Sequence, residues 1–214
     1  MDNTLNQNQS GMKKALIIYA LVVLAGLCII PFTRQLDFIA GWQNPSAIWI
    51  VKIFQFFSDS VSFISFGIPV AITIAREVKS GYNKKQNRLS LLYIVLSIAI
   101  GGLVSRIIKE SVAEPRPYEV DPRIVQLSVG GGYSFPSGHT TEAFASAMAV
   151  SLLFARWTII IPLFAWASLV ALSRIYLGVH YPFDIFMGMF IGSLSAWALS
   201  YFLFRKYLNR SAVK

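Results

Sequence analysis

Residues 89–108 read LSLLYIVLSIAIGGLVSRII, a run of twenty residues in which Arg106 carries the only charge. A helix needs about 20 mostly apolar residues to cross the hydrocarbon core of a bilayer, so this run is long enough to span a membrane. Of the 214 residues in the chain, 55% are hydrophobic and 14% are charged, whereas soluble domains carry about 25% charged residues. The composition therefore excludes a soluble domain and a disordered chain, and it predicts a polytopic membrane protein.

Further apolar runs along the chain predict an all-α bundle of six transmembrane helices, which would use roughly 120 residues. The predicted spans are residues 15–32, a second span that ends near residue 75, and residues 89–108, 138–155, 157–172 and 183–204. A polar stripe of Lys52, Gln55 and Asp59, which share one face of a helix before the second span, predicts an interfacial helix near residues 47–57.

The segments between and beyond these spans are predicted to be loops and tails. The predicted loops are residues 33–46, the basic stretch 76–88, and residues 109–137, to which the glycines at 130–132 give conformational freedom. The six-span domain is expected to cover residues 13–206. It is flanked by a polar, disordered tail at 1–12 and a basic tail at 207–214, both cytoplasmic.

Positive charge is distributed unevenly between the predicted loops. The net charge is +9, and cytoplasmic loops of membrane proteins are enriched in Lys and Arg. With both termini inside, 12 basic residues fall on the inner side and 7 on the outer side. The charge therefore indicates membrane topology and no nucleic-acid partner. Cys28 is the single cysteine and lies in an apolar run, so neither a disulfide within the chain nor redox chemistry is expected.

Three polar segments fall at the outer ends of the third to sixth predicted spans. They are Lys109-x6-Arg116-Pro117, Pro136-Ser137-Gly138-His139, and Ser173-Arg174-x5-His180-x3-Asp184. The chain contains only two histidines, and both lie in these segments. Because the topology was drawn from hydropathy and charge alone, their arrival at one membrane face is an independent indication that they form one site.

The basic residues of these segments match an anion with several oxygens. The guanidinium groups of Arg116 and Arg174 offer planar forks for phosphate, and Lys109 offers a point charge. Ser137 and Gly138 lie where the fourth span begins, and free N–H groups at a helix N-terminus bind anions. The sequence therefore predicts a phosphate site.

His180 and Asp184 are four residues apart, so the carboxylate can fix the imidazole tautomer and stabilise its positive charge. His180 can then act as a nucleophile, and His139 remains to give a proton to the leaving oxygen. No second carboxylate or cysteine completes a metal shell around the two histidines. These roles predict phosphoryl transfer without a metal.

The three segments resemble the signature of the type 2 phosphatidic acid phosphatase family, membrane lipid phosphatases related to the vanadium haloperoxidases. Every signature position is present with the right spacing. The resemblance implies a phosphohistidine on His180, oriented by Asp184, and His139 as the acid. It also implies an enzyme without metal or other cofactor, with its site on the outer, periplasmic side of the inner membrane. The phosphate-binding residues that it implies are Lys109, Arg116, Ser137, Gly138 and Arg174.

Two further residues are candidates to support the site through a neighbour. Glu142 is three residues after His139 and either tunes that histidine or faces the wet mouth of the site. Ser173 directly precedes Arg174 in the third segment.

The expected activity is hydrolysis of a terminal phosphate from a lipid monophosphate or diphosphate. Phosphatidic acid, phosphatidylglycerophosphate, lipid A phosphates and undecaprenyl diphosphate all remain open as substrates, and the general bacterial character favours the last. A lipid-to-lipid phosphotransferase using the same phosphohistidine is the first alternative. A non-catalytic lipid transporter or binding protein is the second. The expected partners are the lipid substrate and the bilayer.

Overall fold

The computed structural model describes residues 2–29, 33–79, 84–154 and 156–211, which are helical apart from their connecting loops. Seven helices of eight residues or more and one single-turn helix make up this part of the chain. They are α1 (Asp2–Ile29), α2 (Gln35–Trp42), α3 (Ile48–Lys79), α4 (Lys84–Val112), the single turn α5 (Pro117–Val120), α6 (Gly138–Leu153), α7 (Trp157–Tyr176) and α8 (Pro182–Ser211).

Helix α6 is the centre of the bundle. Residues 143–152 are all buried, and α1, α3, α4, α7 and α8 pack against this helix. Alanine and serine supply most of these positions, which lets neighbouring backbones approach closely. The largest of the remaining side chains is Phe144, whose ring centroid lies 5.9 Å from that of Phe164 on α7 and 6.4 Å from that of Tyr19 on α1.

The contact between α6 and α8 depends on two glycines of α8. A Cβ atom on Gly188 would lie 2.8 Å from the carbonyl oxygen of Ser137, and one on Gly192 would overlap the carbonyl oxygen of Thr141. Only glycine permits such an approach of one helix to the backbone of another. This packing brings the start of α8, which follows His180, against the start of α6, which carries His139.

Four helical segments in the described part of the chain are long and apolar enough to cross a membrane: Ile48–Ile72, Asn87–Val120, Trp157–Tyr176 and Pro182–Phe202. The prediction of an all-helical, multi-pass membrane protein is therefore confirmed. Six spans and two cytoplasmic termini stay predictions. Helix α6, the predicted fourth span, has 16 residues. At 1.5 Å per residue it is about 24 Å long, shorter than a hydrocarbon core of about 30 Å.

The predicted interfacial helix near residues 47–57 is not a separate element. Helix α3 runs unbroken from Ile48 to Lys79 over 32 residues. The polar stripe that suggested an interface has another use, because Gln55 Nε2 donates to the carbonyl oxygen of Leu127 at 2.8 Å. Gln55 therefore holds a loop of the protein.

Several helices extend into segments that were predicted to be loops or tails. Residues 2–12 continue α1, so the prediction of a disordered tail is wrong. This stretch is polar but has no proline and only one glycine, so little in it interrupts a helix. The predicted loop 33–46 contains helix α2. This helix is held in place by Ile39, which is completely buried against the core. Likewise, α3 and α4 take up most of the predicted loop 76–88. Residues 32 and 155, where two spans were predicted to end, lie outside the described residues.

We expect Gly192→Ala to destabilise the bundle by about 1–3 kcal/mol, the usual effect of overpacking a close-packed interface. The added methyl group would overlap backbone atoms of Thr141 and Ala145 on α6. Gly102→Ala is the matched control, because this glycine is also inside a helix but a Cβ there meets nothing within 4 Å. Thermal unfolding of the purified variants in detergent measures the difference. Equal stability of the two variants would contradict this account of the α6–α8 contact.

Candidate active site

His180 and Asp184 form a buried pair where α8 begins. The Nδ1 atom of His180 lies 3.0 Å from Oδ2 of Asp184, and their side chains are 2% and 1% exposed. The same carboxylate oxygen accepts hydrogen bonds from Ser134 Oγ at 2.6 Å and from the N–H of Tyr181 at 3.0 Å. A carboxylate at Nδ1 favours the tautomer that carries its proton there. The lone pair of His180 is then on Nε2.

The Nε2 atom of His180 faces a cation. Nη1 of Arg116 lies 3.5 Å from it. Burial holds the pKa of His180 well below its ordinary value, and the charges of Arg174, Arg116 and Lys109 lower this pKa further. The imidazole is therefore neutral at neutral pH, and its Nε2 is ready to act as a nucleophile.

Arg116 is 3% exposed and directs its guanidinium at backbone carbonyl groups. Nε donates to Gly132 at 2.9 Å, Nη2 to Gly131 at 2.9 Å and to Tyr133 at 3.2 Å, and Nη1 to Val179 at 2.7 Å. The acceptors at 131–133 belong to what we term the glycine loop, residues 128–134. This guanidinium thus joins the glycine loop to the residue that precedes His180.

The absence of a side chain at Gly130 makes room for Arg116. A Cβ atom on Gly130 would lie 3.0 Å from Nε of Arg116 and 3.1 Å from its Cζ. At Gly131 a Cβ would meet nothing within 4 Å. The sequence suggested only conformational freedom for these glycines, whereas the structure assigns Gly130 to close packing against a guanidinium.

Lys109 and Arg174 also contact the glycine loop. Lys109 Nζ donates to the carbonyl oxygens of Tyr133 and Ser134 at 2.6 and 2.9 Å. Arg174 Nη1 donates to Ser128 Oγ at 3.2 Å, and its Nη2 to the carbonyl oxygen of Val129 at 3.3 Å. All three predicted phosphate-binding cations therefore converge on one loop.

Arg174 has one donor left over. Its Nη1 also donates to Ser58 Oγ on α3, but its buried Nε–H has no hydrogen-bond partner among the described residues. A buried donor without a partner is costly. This atom is therefore suited to an oxygen that the protein itself does not supply.

The start of α6 completes the group of predicted residues. Ser137 caps the helix, and its Oγ accepts hydrogen bonds from the N–H and the Oγ1 of Thr140 at 3.5 and 3.0 Å. Its own O–H is thus left to donate. A Cβ on Gly138 would project into open space. His139 lies within electrostatic range of His180 and of all three cations.

The two supporting candidates lie apart from the histidines. The side chain of Glu142 faces α3, where Ser62 Oγ donates a hydrogen bond to its Oε2 at 3.5 Å. Ser173 donates to the carbonyl oxygen of Val170 in its own helix at 2.6 Å. The recorded contacts of both residues therefore lead away from His139 and His180.

Two residues at the site were missed by the sequence reasoning. Ser134 donates to Asp184 at 2.6 Å, and nothing in its loop context singled it out. The carbonyl oxygen of Glu114 accepts a hydrogen bond from the N–H of Ser134 at 2.7 Å, so Glu114 lies against the loop that contacts Asp184. A signal for Glu114 was present, because it is a carboxylate inside the basic first segment, two residues before Arg116.

Comparison with known proteins gives consistent matches. The sequence model of the PAP2 superfamily matches residues 90–208. A lipid A 4'-phosphatase of Bacteroides thetaiotaomicron is 26% identical over 185 residues, which cover 83% of this chain and 79% of that protein. The undecaprenyl-diphosphatase BcrC of Bacillus subtilis is 31% identical over 59% of this chain and 62% of its own length. The crystal structure of Aquifex aeolicus LpxE superposes with a TM-score of 0.65, at 25% identity, over 80% of this chain and 97% of that one.

The superfamily match covers more than half of the chain and includes all three polar segments. It agrees with the resemblance inferred from the residues alone, and the curated relatives are named as phosphatases. The chain therefore belongs to the PAP2 superfamily, and its predicted assignment as a phosphatase enzyme is confirmed.

Proposed function

We propose that this protein hydrolyses the terminal phosphate of a lipid monophosphate or diphosphate through a phosphohistidine intermediate on His180. One observation carries the proposal. A guanidinium nitrogen of Arg116 lies 3.5 Å from Nε2 of His180, and Asp184 holds the Nδ1 side of the same imidazole. A nucleophile and a cation directed at the same point suit a phosphorus centre that carries negative oxygens.

In the first step, the Nε2 lone pair of His180 attacks phosphorus. Burial and the nearby cations lower the pKa of His139, and the negative charge of bound phosphate offsets the effect of those cations, so His139 enters this step protonated. The bond between phosphorus and the leaving oxygen breaks, and His139 gives its proton to that oxygen. Asp184 stabilises the positive charge that develops on the imidazole.

In the second step, water attacks the phosphohistidine, and His139 takes a proton from that water. The P–N bond breaks, inorganic phosphate leaves, and His180 returns to its neutral form. If a lipid hydroxyl replaced water, the same intermediate would give a phosphotransferase.

Phosphate binding requires the cations to exchange partners. Lys109 and Arg116 donate to carbonyl oxygens of the glycine loop, and charged phosphate oxygens are stronger acceptors than neutral carbonyls. Arg174 Nε–H and Ser137 O–H can bind phosphate without losing a bond. Phosphate would therefore take over part of the loop's hydrogen bonding.

We place the site at the outer, periplasmic or extracellular face of the cell membrane. The excess of basic residues in the opposite loops supports this orientation. The substrate class is supported by the relatives, of which one is named for lipid A and another for undecaprenyl diphosphate. Both are phosphates on large amphipathic lipids.

We expect the purified protein in detergent to release inorganic phosphate from at least one lipid of a panel, and His180→Ala to abolish the release. The panel is undecaprenyl diphosphate, lipid A, phosphatidylglycerophosphate and phosphatidic acid. Glu110→Gln, at an exposed position of α4, is the control and should retain the activity. A non-permeant substrate given to intact cells tests the side of the membrane.

Three results would contradict the proposal. Release by His180→Ala would exclude His180 as the nucleophile. Transfer of labelled phosphate to a lipid acceptor in place of water would indicate the phosphotransferase. Binding of the lipids without turnover would indicate a transport or binding protein.

We expect Gly130→Ala to lower kcat/KM by up to about 10²-fold, because displacing a positioning group by about 1 Å can cost that much. The new methyl group would press on the guanidinium of Arg116. Gly131→Ala adds the same methyl group to the same loop in open space and should retain activity. Steady-state phosphate release measures both, and an equal effect of the two substitutions would contradict the role given to Gly130.

A further inference from the structure

One face of α3 carries polar side chains at successive turns of the helix. Gln55, Ser58 and Ser62 are spaced three and four residues apart, so their side chains lie on the same side of the helix. Gln55 donates to the carbonyl oxygen of Leu127, which directly precedes the glycine loop, and Ser62 donates to Glu142 on α6. This face of α3 is therefore turned toward the rest of the protein, and Ser58 lies at its middle.

Ser58 brings a hydroxyl group into the interior of the bundle. The residue is completely buried, and its Oγ accepts a hydrogen bond from Nη1 of Arg174 on α7, which is 1% exposed. Burying a hydroxyl group is unfavourable unless it is hydrogen-bonded, so the guanidinium explains why a serine is tolerated at this position. Without this hydroxyl, the 3.2 Å contact with Ser128 Oγ is the hydrogen bond that Nη1 would keep among the described residues.

The other hydrogen bonds of the Arg174 guanidinium go to the glycine loop. Ser128 Oγ and the carbonyl oxygen of Val129 accept them at 3.2 and 3.3 Å, and Val129 is 86% exposed. Ser58, in contrast, lies inside α3, a helix of 32 residues. When phosphate takes over part of the loop's hydrogen bonding, the bond to Ser58 is the one that stays in place. Ser58 is therefore the fixed point of the Arg174 side chain.

The planar shape of the guanidinium makes this fixed point important. Its N–H groups form a rigid fork, so a bond that fixes Nη1 also restricts the direction of Nε–H. The Nε atom is buried and has no hydrogen-bond partner among the described residues. We propose that Ser58 is a positioning residue, which holds Arg174 so that its Nε–H is directed at an oxygen of the substrate phosphate. This inference rests on the proposed function and deepens it, because it adds a residue outside the three polar segments to the phosphate site.

The test compares Ser58→Ala with the matched control Ser60→Ala. Ser60 lies on the same helix and also binds α7, because its Oγ accepts a hydrogen bond from Nε1 of Trp166 at 3.1 Å. Both variants therefore lose one hydrogen bond between α3 and α7. We expect Ser58→Ala to lower kcat/KM by about 10-fold to 100-fold, since displacing a positioning group by about 1 Å can cost 10²-fold. Ser60→Ala should retain the wild-type activity, and thermal unfolding should show similar stability for the two variants.

A double-mutant cycle tests whether Ser58 acts through Arg174. Arg174→Ala alone should lower kcat/KM by roughly 10²-fold to 10³-fold, the usual effect of removing one donor to the transition state. In that background, Ser58→Ala should cause a further loss of about 2-fold or less, because the side chain that it positions is gone. Fully additive losses would overturn the inference, since they would show that Ser58 acts independently of Arg174.

A second measurement does not depend on turnover. Calorimetric titration with inorganic phosphate should show equal binding by the wild type and Ser60→Ala, and about 10-fold weaker binding by Ser58→Ala, the effect of one hydrogen bond to a charged group. Ser58→Cys replaces the hydroxyl with a weaker acceptor of similar shape and should also weaken binding. This variant decides the question if Ser58→Ala does not fold.

Three results would overturn the inference. They are wild-type phosphate binding and turnover in the Ser58 variants, an equal impairment of Ser60→Ala, and a wild type that binds no inorganic phosphate. If the wild type binds inorganic phosphate but releases it from no lipid, the proposed function fails, while the titration still decides whether Ser58 positions Arg174.

Discussion

The structure depends most on the way in which Arg116 is buried. A guanidinium taken out of water must direct its N–H groups at acceptors, or its burial is strongly unfavourable. Arg116 meets this requirement with carbonyl groups of the glycine loop and of Val179, which are far apart in the sequence. The same bonds that satisfy the charge therefore bring together the first and third polar segments, and they leave one guanidinium nitrogen beside Nε2 of His180. The architecture of the site and the phosphate binding that we propose for it therefore have a single physical cause.

The site depends, in addition, on close packing of α6 and α8, which carry His139 and Asp184. Small residues along α6 and two glycines on α8 remove the side chains that would keep these helices apart. As a result, the N–H of Ser137 donates to the carbonyl oxygen of Asp184 at 3.2 Å, so the first turns of both helices lie against each other. Packing in the bundle thus sets the position of the proposed acid relative to the proposed nucleophile. A substitution deep in this interface would act on the reaction without touching the substrate.

Much of this could be predicted from the sequence, for identifiable reasons. Hydropathy predicts the helices, and the spacing of charged residues and histidines predicts which of them meet. Helix ends were predicted less well, because the Lys- and Arg-rich stretch 76–88 is polar enough to resemble a loop yet contains good helix formers. Ser134 and Gly130 could not have been assigned, since their roles arise from contacts with distant segments. Glu142 shows the converse: its position one turn from His139 suggested a link, but its side chain faces α3.

The central claim is that His180 becomes phosphorylated during turnover, and rapid quenching tests it most directly. The enzyme would be mixed with a lipid carrying labelled phosphate, stopped within one turnover at alkaline pH, where phosphohistidine survives, and digested for mass spectrometry. The account predicts label on Nε2 of His180, lost in acid and absent from His180→Ala. Turnover without a covalent phosphoenzyme, or label on any other residue, would contradict it.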